Sequence, residues 1–318
     1  MKLSIVVPCY NEQEVLHQTS TQLTALLDRL VVSRKVSSDS GIYFIDDGSK
    51  DKTWDLIQDL ASKQLRINGI KLSRNRGHQN ALLAGLMTVS GDVLISLDSD
   101  LQDDVEAIEK MLDAHLLGAD IVYGVREDRS SDSFFKRTTA ILFYRTFSLL
   151  GVESIFNHSD YRLMSRRTIE ALKSYKEVNL FLRGIIPLLG FTSSIVFYRR
   201  NERFAGESKY PLKKMIAFAW QGITSFSITP LRLVSYIGVA VFLGSILMSF
   251  IIVGIHLFTD KTLPGWTSTL LPIFFLGGIQ ILCIGILGEY LGKIYQEVKS
   301  RPRFIIEKQC GSQNHETF

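Results

Sequence analysis

The 318-residue sequence has few cysteines and no phosphate-binding glycine loop. Its three cysteines, Cys9, Cys283 and Cys310, are scattered, so they form neither a zinc motif nor a disulfide framework, and we expect packing thiols. Neither a Gly-x-Gly-x-x-Gly nor a Walker loop follows the first strand-like segments, which argues against a dinucleotide dehydrogenase or a phosphate-loop ATPase. The formal net charge of +4 is modest and indicates no nucleic-acid partner.

The amino terminus also lacks a long apolar run. The apolar stretch 3–8 is too short for a secretory signal, and Asn11 and Glu12 follow it closely. We therefore expect the first domain to stay in the cytosol. With 46% hydrophobic residues, the chain can form one large soluble domain and a small membrane module, rather than a polytopic transporter.

Strand-like and helix-like segments alternate in the first part of the chain. Short apolar runs predict strands at 3–7, 42–45, 70–72, 93–97 and 121–123, and helical spacing predicts helices at 12–30, 54–65, 80–88 and 104–117. This order predicts an α/β fold in which crossover helices connect parallel strands. In open sheets of this kind, ligands bind beyond the carboxyl ends of the strands.

Two acids and an amide follow the predicted strand 93–97. Asp98, Asp100 and Gln102 alternate, so in an extended segment their side chains would project to one side. Carboxylates placed in this way can bind Mg²⁺ or Mn²⁺, and the oxygens of a diphosphate would complete the coordination of the ion. The alternative is an acidic loop that caps the next helix.

The loops after the first two predicted strands carry polar residues suited to framing a nucleoside. One loop contains Pro8-Cys9-Tyr10-Asn11-Glu12, and the other contains Asp46-Asp47-Gly48-Ser49. Carboxylates there can accept hydrogen bonds from ribose hydroxyls or from a base imino group. The alternative is turn chemistry, since Asp-Gly-Ser favours turns and residues 51–53 can cap the following helix.

Two long apolar segments near the carboxyl end predict a transmembrane hairpin. Residues 233–258 contain no acidic or basic residue apart from His256, and residues 270–288 contain none. Both segments, the second extended through Leu291, are long enough for a hydrocarbon layer of about 30 Å. Basic residues precede and follow the hairpin, which predicts that both termini face the cytosol. Glycines in the second segment leave a homo-oligomer open.

Two further stretches mix basic and apolar residues, as helices on a membrane surface do. They are 134–150 and 211–227. A basic-edged core helix explains the first stretch equally well, whereas the second immediately precedes the predicted hairpin, which favours the interfacial interpretation. Residues 307–318 are polar and predict a frayed tail.

Several motifs together resemble one known family. In the first domain they are Val6-Val7-Pro8-Cys9-Tyr10-Asn11-Glu12, Asp46-Asp47-Gly48-Ser49, Leu72-Ser73-Arg74-Asn75-Arg76-Gly77, Asp98-Ser99-Asp100-Leu101-Gln102-Asp103, Asp160-Tyr161-Arg162-Leu163-Met164 and Arg203-Phe204-Ala205-Gly206-Glu207-Ser208-Lys209. In the carboxyl half they are Pro230-Leu231-Arg232, Phe275-Leu276-Gly277-Gly278-Ile279-Gln280 and Gly288-Glu289-Tyr290-Leu291-Gly292. The chain resembles, over nearly its whole length, the family 2 glycosyltransferases of the polyisoprenyl-phosphate type. This family includes bactoprenol glucosyltransferases, dolichol-phosphate mannose synthases and aminoarabinose-transferring relatives, and the later motifs resemble the two-span bactoprenol branch.

Sequence pattern and resemblance together predict four regions. They are a GT-A (Rossmann-like) catalytic domain at 1–210, an interfacial amphipathic helix at 211–230, two transmembrane helices at 231–292 and a cytosolic basic tail at 293–318. The sequence departs from the family pattern at Ser99, where alanine is usual, and at residues 104–105, where a proline pair is usual. Neither change removes a predicted metal ligand.

The resemblance also implies roles for individual residues. It implies that Asp98, Asp100 and Gln102 surround the metal, that Pro8, Tyr10, Glu12 and Asp46 or Asp47 lie near the nucleotide, and that Asp160 lies at the reaction centre. Arg126, Arg203 and Lys209 would face the donor diphosphate and the acceptor phosphate. The alternatives are salt bridges to neighbouring acids for Arg203 and simple surface exposure for Lys209.

The implied activity is inverting transfer of a sugar to undecaprenyl or a related polyisoprenyl phosphate at the cytosolic face of the cytoplasmic (inner) membrane. UDP-glucose is the first choice of donor, and GDP-mannose, UDP-N-acetylhexosamine and UDP-aminopentose are alternatives. A processive polysaccharide synthase would need a Gln-x-x-Arg-Trp motif and more membrane spans than this sequence offers. The non-enzymatic alternative, a membrane-anchored sugar-nucleotide sensor or a flippase subunit, would not need a metal site together with Asp160.

Overall fold

The computed structural model describes residues 1–127, 158–199, 229–258 and 265–311. These residues fall into two units. The first unit contains the described residues up to 199 together with 301–311, and the second contains 229–258 and 265–300. Arg203, Lys209 and both predicted membrane-surface stretches, 134–150 and 211–227, lie outside the described residues.

A mixed β-sheet forms the centre of the first unit. Its strands are β1 (Leu3–Cys9), β2 (Gly41–Asp46), β3 (Ile67–Leu72), β4 (Val93–Ser96), β5 (Ile121–Arg126), β6 (His158–Ser165), β7 (Ser193–Tyr198) and β8 (Ile306–Cys310). Across the sheet the order is β7-β5-β6-β4-β1-β2-β3-β8. The helices of this unit are α1 (Leu16–Val32), α2 (Thr53–Lys63), α3 (His78–Thr88), α4 (Ala107–Leu116), α5 (Arg166–Leu172) and α6 (Leu182–Leu188).

The α/β prediction is confirmed, but the expectation of a purely parallel sheet is wrong. Strands β1 to β5 and β7 share one direction, whereas β6 is antiparallel to β4 and β5, and β8 is antiparallel to β3. Buried Asp160 and Arg162 interrupt the apolar pattern of β6, so the sequence does not show it as an apolar run. Its insertion between β4 and β5 turns a simple alternating order into a mixed sheet.

Strand β8 corrects the prediction of a frayed tail for the residues that it covers. It pairs with β3 along the sheet edge, and Glu307 lies 3.4 Å from Lys71. Cys310 is paired with Gly69, where an added Cβ would lie 2.7 Å from the Cys310 sulfur atom. The missing side chain at Gly69 therefore makes room for the thiol, which packs against the core as expected for an unpaired cysteine.

Helix α3 packs unusually close to the sheet. A Cβ added at Gly85 would lie 2.4 Å from Val6 Cγ1 and 2.9 Å from Ile45 Cγ1, so only glycine permits this approach to β1 and β2. The close packing fixes the position of the helix start, His78, relative to the carboxyl ends of these strands.

The second unit contains two helices, α7 (Thr229–Phe258) and α8 (Gly265–Lys299), which contact each other. Within the described ranges, one helical segment, Phe275–Lys299, is long and apolar enough to cross a membrane. Helix α8 extends beyond the predicted segment at both ends and includes Pro272. Two helices are therefore present where the sequence predicts them, while a two-span membrane hairpin stays a prediction.

Asp120 connects several elements at the amino edge of β5. This buried carboxylate accepts hydrogen bonds from Ser165 Oγ at 2.9 Å and Thr192 Oγ1 at 2.8 Å, and Arg167 holds both of its oxygens. The hydrogen bonds from Arg167 lower the pKa of Asp120 to about 2. One ionised side chain thus joins the start of β5 to the end of β6, to α5 and to the residue before β7.

Replacing Asp120 with Asn should lower the free energy of unfolding by about 1–3 kcal/mol, because buried donors lose a charged acceptor. Since the pKa of Asp120 is about 2 in the folded protein and about 3.9 in unfolded chains, its stabilisation is complete above about pH 4 and is lost as the pH falls toward 2. Urea unfolding of the full chain in detergent, measured between pH 3 and 6, tests this. Asp59→Asn, in an exposed pair with Lys63, is the control; equal effects of both substitutions would contradict the prediction.

Candidate active site

The predicted site residues that the structure describes lie at one edge of the sheet, where the parallel strands β1, β2 and β4 end. Cys9 pairs with Asp46 at the ends of β1 and β2, and Leu97 N donates to Val6 O just after β4. Strand β6 runs in the opposite direction and pairs Arg162 with Ser96, so its early residue Asp160 lies at this same edge. The antiparallel strand therefore delivers an acid to the edge at which the parallel strands end.

Hydrogen bonds connect the loops after β1 and β2, which the sequence predicts to be neighbours. Asn11 N donates to Ser49 Oγ at 3.0 Å, and the Asn11 side chain accepts a hydrogen bond from Lys50 N at 2.9 Å. Glu12 N donates to Thr53 Oγ1 at 2.9 Å. Asn11 has a positive φ of 55°, a conformation that asparagine tolerates better than most residues. These contacts fix the frame in which the predicted nucleotide residues lie.

Within this frame, Pro8 and Tyr10 differ in accessibility. Pro8 is buried in β1, opposite Ile45 of β2, whereas the Tyr10 side chain directly after the strand is exposed. Glu12 is partly exposed, and its backbone carbonyl accepts hydrogen bonds at the start of α1. Of the three residues of this loop that are predicted to lie near the nucleotide, Tyr10 and Glu12 are therefore the accessible ones.

Asp46 and Asp47 have different surroundings. The two oxygens of Asp47 accept hydrogen bonds from Arg76 N at 2.7 Å and Gly77 N at 2.8 Å, which holds the loop before α3. Asp46 accepts one hydrogen bond from Ser49 N at 3.1 Å through Oδ1, while its Oδ2 is buried without a hydrogen-bond partner among the described residues. Burial raises the pKa of both carboxyl groups. Of the two acids, only Asp46 has an oxygen that accepts no hydrogen bond from the described residues.

Gly48 allows this loop to lie against the chain before α3. Its φ is +68°, and an added Cβ would lie 2.7 Å from the backbone of Arg74 and Asn75. A side chain at this position would therefore push the loop away from the two amide groups that Asp47 binds.

The segment that contains Asp98, Asp100 and Gln102 is a turn, so the expectation of an extended segment is wrong. Leu101 has a positive φ of 55° and is buried, and Gln102 N donates to Asp100 Oδ1 at 3.2 Å. The positive φ of Leu101 interrupts the extended backbone, and its apolar side chain is buried. Spacing in the sequence therefore does not determine the direction of these three side chains.

The acidic turn offers an incomplete set of metal ligands. No group of three or more His, Cys, Asp and Glu side chains within the described ranges is arranged to hold a metal ion. Burial raises the pKa of Asp98, and the nearby negative charges of Asp160 and Asp100 act in the same direction. Mg²⁺ in phosphate-transfer sites commonly takes one or two carboxylates and completes its shell with substrate phosphates and water. The carboxylates of the turn and the Gln102 amide fit that arrangement, and they do not form a closed protein cage.

Arg126 contacts Asp103, a buried acid that directly follows Gln102 of the acidic turn. Its Nη2 lies 3.4 Å from Asp103 Oδ1 and its Nε donates to Tyr198 Oη at 3.2 Å, while Tyr198 Oη donates to the same carboxylate. Burial, together with the charge of Asp98, raises the pKa of Asp103 to about 6. Arg126 and Tyr198 therefore attach the acidic turn to the ends of β5 and β7.

Asp160 is a buried carboxylate surrounded by cationic side chains. Arg162, which is fully buried, holds Oδ1, and Arg183 donates from Nε to Oδ1 at 3.3 Å and from Nη2 to Oδ2 at 3.2 Å. Burial alone would raise the pKa of Asp160, but Arg183, His78 and Arg162 hold that pKa well below its usual range. Asp160 is therefore ionised, and each of its oxygens accepts from a cation.

His78, at the start of α3, lies between the acidic turn and Asp160. Its Nε2 is 3.5 Å from Asp98 Oδ1 and 3.5 Å from Asp160 Oδ2. Burial works against protonation, but Asp160 and Asp98 raise the pKa of His78 to about 9, so it is charged near neutral pH. His78 connects the two acids that the sequence assigns to separate roles.

The structure brings together the acids of the predicted site and adds two residues that sequence reasoning missed. Asp98, Asp100 and Asp160 lie at one edge, beside the paired loops of Tyr10 and Asp46. His78 directly follows the motif at 72–77, which is the one signal that pointed toward it. Arg183 belongs to no motif and is found only through its contact with Asp160.

Sequence comparisons place the chain among known proteins. Residues 4–173 match the family described as "Glycosyl transferase family 2". The chain is 50% identical over 311 residues to "Uncharacterized glycosyltransferase YkoT" of Bacillus subtilis (strain 168), covering 96% of this chain and 91% of that protein. It is 41% identical over 312 residues to "SfII prophage-derived bactoprenol glucosyl transferase" of Shigella flexneri, covering 97% and 98%.

Structure comparison gives more distant similarity. The structure of glucosyl-3-phosphoglycerate synthase from Mycobacterium tuberculosis, in complex with Mn²⁺, uridine-diphosphate and phosphoglyceric acid, is 20% identical, with a TM-score of 0.46 over 70% of this chain and 76% of that chain. The assignment therefore rests on the sequence relatives and on the family match over residues 4–173. On that ground, the chain belongs to glycosyl transferase family 2.

Proposed function

We propose that this protein transfers glucose from UDP-glucose, with inversion, to undecaprenyl phosphate or a related polyisoprenyl phosphate at the cytosolic face of the cytoplasmic membrane. The observation that supports this most is the pairing of the Asp98 turn with an ionised Asp160 that is surrounded by cations. The name bactoprenol glucosyl transferase, borne by relatives that align over nearly the full chain, supports the acceptor class and the sugar. GDP-mannose, UDP-N-acetylhexosamine and UDP-aminopentose are the alternative donors.

The acidic turn would serve the departing diphosphate. Asp98 and Asp100, with the Gln102 amide, would hold Mg²⁺ or Mn²⁺, which when bound offsets the negative charge that grows on the leaving group. Asp103 has a supporting part, because its contacts with Arg126 and Tyr198 hold the turn in place. A direct contact between Arg126 and the diphosphate belongs to the same proposal.

The hydrogen-bonded loops after β1 and β2 would bind the nucleoside. Asp46 is the better candidate of the two neighbouring acids, since its buried Oδ2 has unused capacity to accept a hydrogen bond. The exposed Tyr10 and the partly exposed Glu12 lie at the same edge of the sheet, and Pro8 is buried near the end of β1. Asp47 supports the site indirectly, because both of its oxygens hold the loop before α3.

The acceptor chemistry explains why the reaction-centre acid need not act as a base. A phosphate monoester has a second pKa of about 6, so it is mostly dianionic near neutral pH and has no proton that must be removed before attack. One of its oxygens forms the bond to the anomeric carbon while the bond from that carbon to the diphosphate oxygen breaks. Asp160, with its oxygens held by Arg162 and Arg183, is suited to orient these cations.

The second unit and the segment before it would hold the enzyme on the bilayer. Helices α7 and α8 would form the two-span hairpin with both termini in the cytosol, and 211–230 would lie at the membrane surface. Arg203 and Lys209 would contribute to the binding of the two phosphate-bearing substrates. This placement would let the lipid tail of the acceptor stay in the membrane while its phosphate reaches the site.

We expect purified protein in detergent, supplied with Mg²⁺ or Mn²⁺, to transfer radiolabel from UDP-glucose to undecaprenyl phosphate. Parallel reactions with the three alternative donors measure the sugar preference, since specificity depends on the shape of the donor pocket. Product is measured as label extracted with the lipid. If no donor labels any polyisoprenyl phosphate, the enzymatic proposal is wrong, and a sugar-nucleotide sensor or a flippase subunit becomes the better interpretation.

Asp160→Asn should lower transfer by about 100-fold or more, because charged partners around the reacting groups lose the carboxylate that orients them. Binding of UDP with Mn²⁺, measured by calorimetry, should stay within about threefold of wild type. Because Arg162 is fully buried and would lose its partner, the variant is also expected to be less stable by about 3–5 kcal/mol. Assays therefore use the folded fraction isolated by size-exclusion chromatography. Substantial turnover by that fraction would remove Asp160 from the reaction centre.

Transfer should stop when EDTA removes divalent ions and should return with added Mg²⁺ or Mn²⁺. Asp98→Asn should raise the Mn²⁺ concentration needed for half-maximal rate by about tenfold or more, because one charged ligand is lost. Asp104→Asn is the matched control, since the Asp104 carboxylate accepts a hydrogen bond from Glu106 N at 3.0 Å and caps the following turn. Full activity in EDTA, or the same Mn²⁺ dependence in both variants, would refute the metal assignment.

A further inference from the structure

Arg183 is a cation of the Asp160 cluster that a ligand can reach. Arg162 also donates to Asp160, but its side chain has 0% exposure, so a ligand cannot reach it. The Arg183 side chain is 32% exposed although its Nε and Nη2 both donate to Asp160. Asp160 thus accepts hydrogen bonds from the buried guanidinium of Arg162 and from the partly exposed guanidinium of Arg183.

The charges at this point favour an incoming anion. In this cluster the negative charges of Asp160 and Asp98 face the positive charges of Arg162, Arg183 and His78, which leaves an excess of one positive charge. Guanidinium groups bind phosphate oxygens through short, paired hydrogen bonds, and they keep their charge at any pH of interest. A phosphate group is therefore the ligand class that this accessible arginine fits best.

Arg183 donates two hydrogen bonds to Asp160, whereas His78 contacts both Asp160 and Asp98 of the acidic turn. His78 Nε2 lies between Asp98 and Asp160, at 3.5 Å from an oxygen of each, whereas Arg183 approaches Asp160 directly. The start of α6 is tied to α3, because Leu182 N donates to Gln79 Oε1 at 3.0 Å. If the donor diphosphate binds at the Asp98 turn, the phosphate nearest Arg183 belongs to the other substrate.

We propose that Arg183 binds the phosphate monoester of the acceptor, and that Asp160 is the positioning residue that aims its guanidinium. The inference rests on the proposed function, and it identifies the group that recognises the acceptor. During transfer, an acceptor phosphate oxygen forms a bond to the anomeric carbon and the diphosphate leaves with the electron pair of the broken bond. Arg183 remains protonated throughout, since the attacking phosphate carries the charge needed for attack.

The test compares Arg183→Gln and Arg183→Lys with wild type in steady-state transfer, with acceptor and donor concentrations varied separately. We expect Arg183→Gln to raise the KM for undecaprenyl phosphate by about tenfold or more, since a charge-assisted hydrogen bond to phosphate is lost. Arg183→Lys should recover part of that loss, because it restores the charge without the paired geometry. The KM for the nucleotide sugar and the Mn²⁺ requirement should change by less than about twofold.

Arg167→Gln is the matched control. Arg167 also grips a buried aspartate through Nε and Nη2, but that aspartate is Asp120 at the opposite edge of the sheet. This substitution should lower thermal stability and leave both KM values unchanged. It thereby separates the loss of an arginine–aspartate pair from the loss of a ligand contact.

A binding measurement makes the result independent of turnover. Calorimetry with farnesyl phosphate, in the presence of UDP and Mn²⁺, should show that Arg183→Gln binds it about tenfold or more weakly than wild type and Arg167→Gln. Selective loss of binding by the Arg183 variants without turnover in wild type would support the inference while refuting the proposed transfer. Unchanged binding by Arg183→Gln, no binding by wild type, a change in donor KM instead, or a fall in kcat with acceptor KM unchanged would each overturn the assignment.

Discussion

The ion pair between buried Asp160 and fully buried Arg162 is the constraint on which the site depends. Burying either charge alone would cost several kcal/mol, so each requires the other, and their positions on the same strand fix where the charges lie. Arg183 and His78 add positive charge from two helices and keep the carboxylate ionised in spite of its burial. The cluster therefore joins α3, β6 and α6 at one point.

The mixed sheet explains how this cluster meets the acidic turn. In a purely parallel sheet, residues at the beginning of a strand lie at the edge opposite the ligands. Because β6 is inverted between β4 and β5, its early residue Asp160 reaches the edge at which Asp98 follows β4. Its last residue, Ser165, contacts Asp120 at the other edge, where a second arginine–aspartate pair serves the fold. One inverted strand thus carries the charged cluster of the candidate site at one end and the Asp120 cluster at the other.

Much of the first unit could be predicted from sequence, because β1 to β5 are apolar runs separated by amphipathic helices. The α/β class and the proximity of the loops at Tyr10 and Asp46 follow from that order. Strand β6 escapes prediction because two buried charged residues, Asp160 and Arg162, interrupt its apolar pattern, and their further partners are distant in the sequence. Arg183 escapes for the same reason, since no local pattern relates it to Asp160. The direction of the acidic turn depends on the backbone of Leu101, which spacing cannot reveal.

Strand β8, which follows the two long helices in the sequence, completes the sheet of the first unit. The sheet has its β3 edge open until residues 306–310 pair with it, and these residues are synthesised after both long helices. An unpaired edge is a template for association with other chains. Because domains begin to fold as they emerge from the ribosome, the catalytic sheet is completed only after the ribosome has made the segment that follows the helical hairpin. Completion of the sheet thus requires that both long helices have already been synthesised.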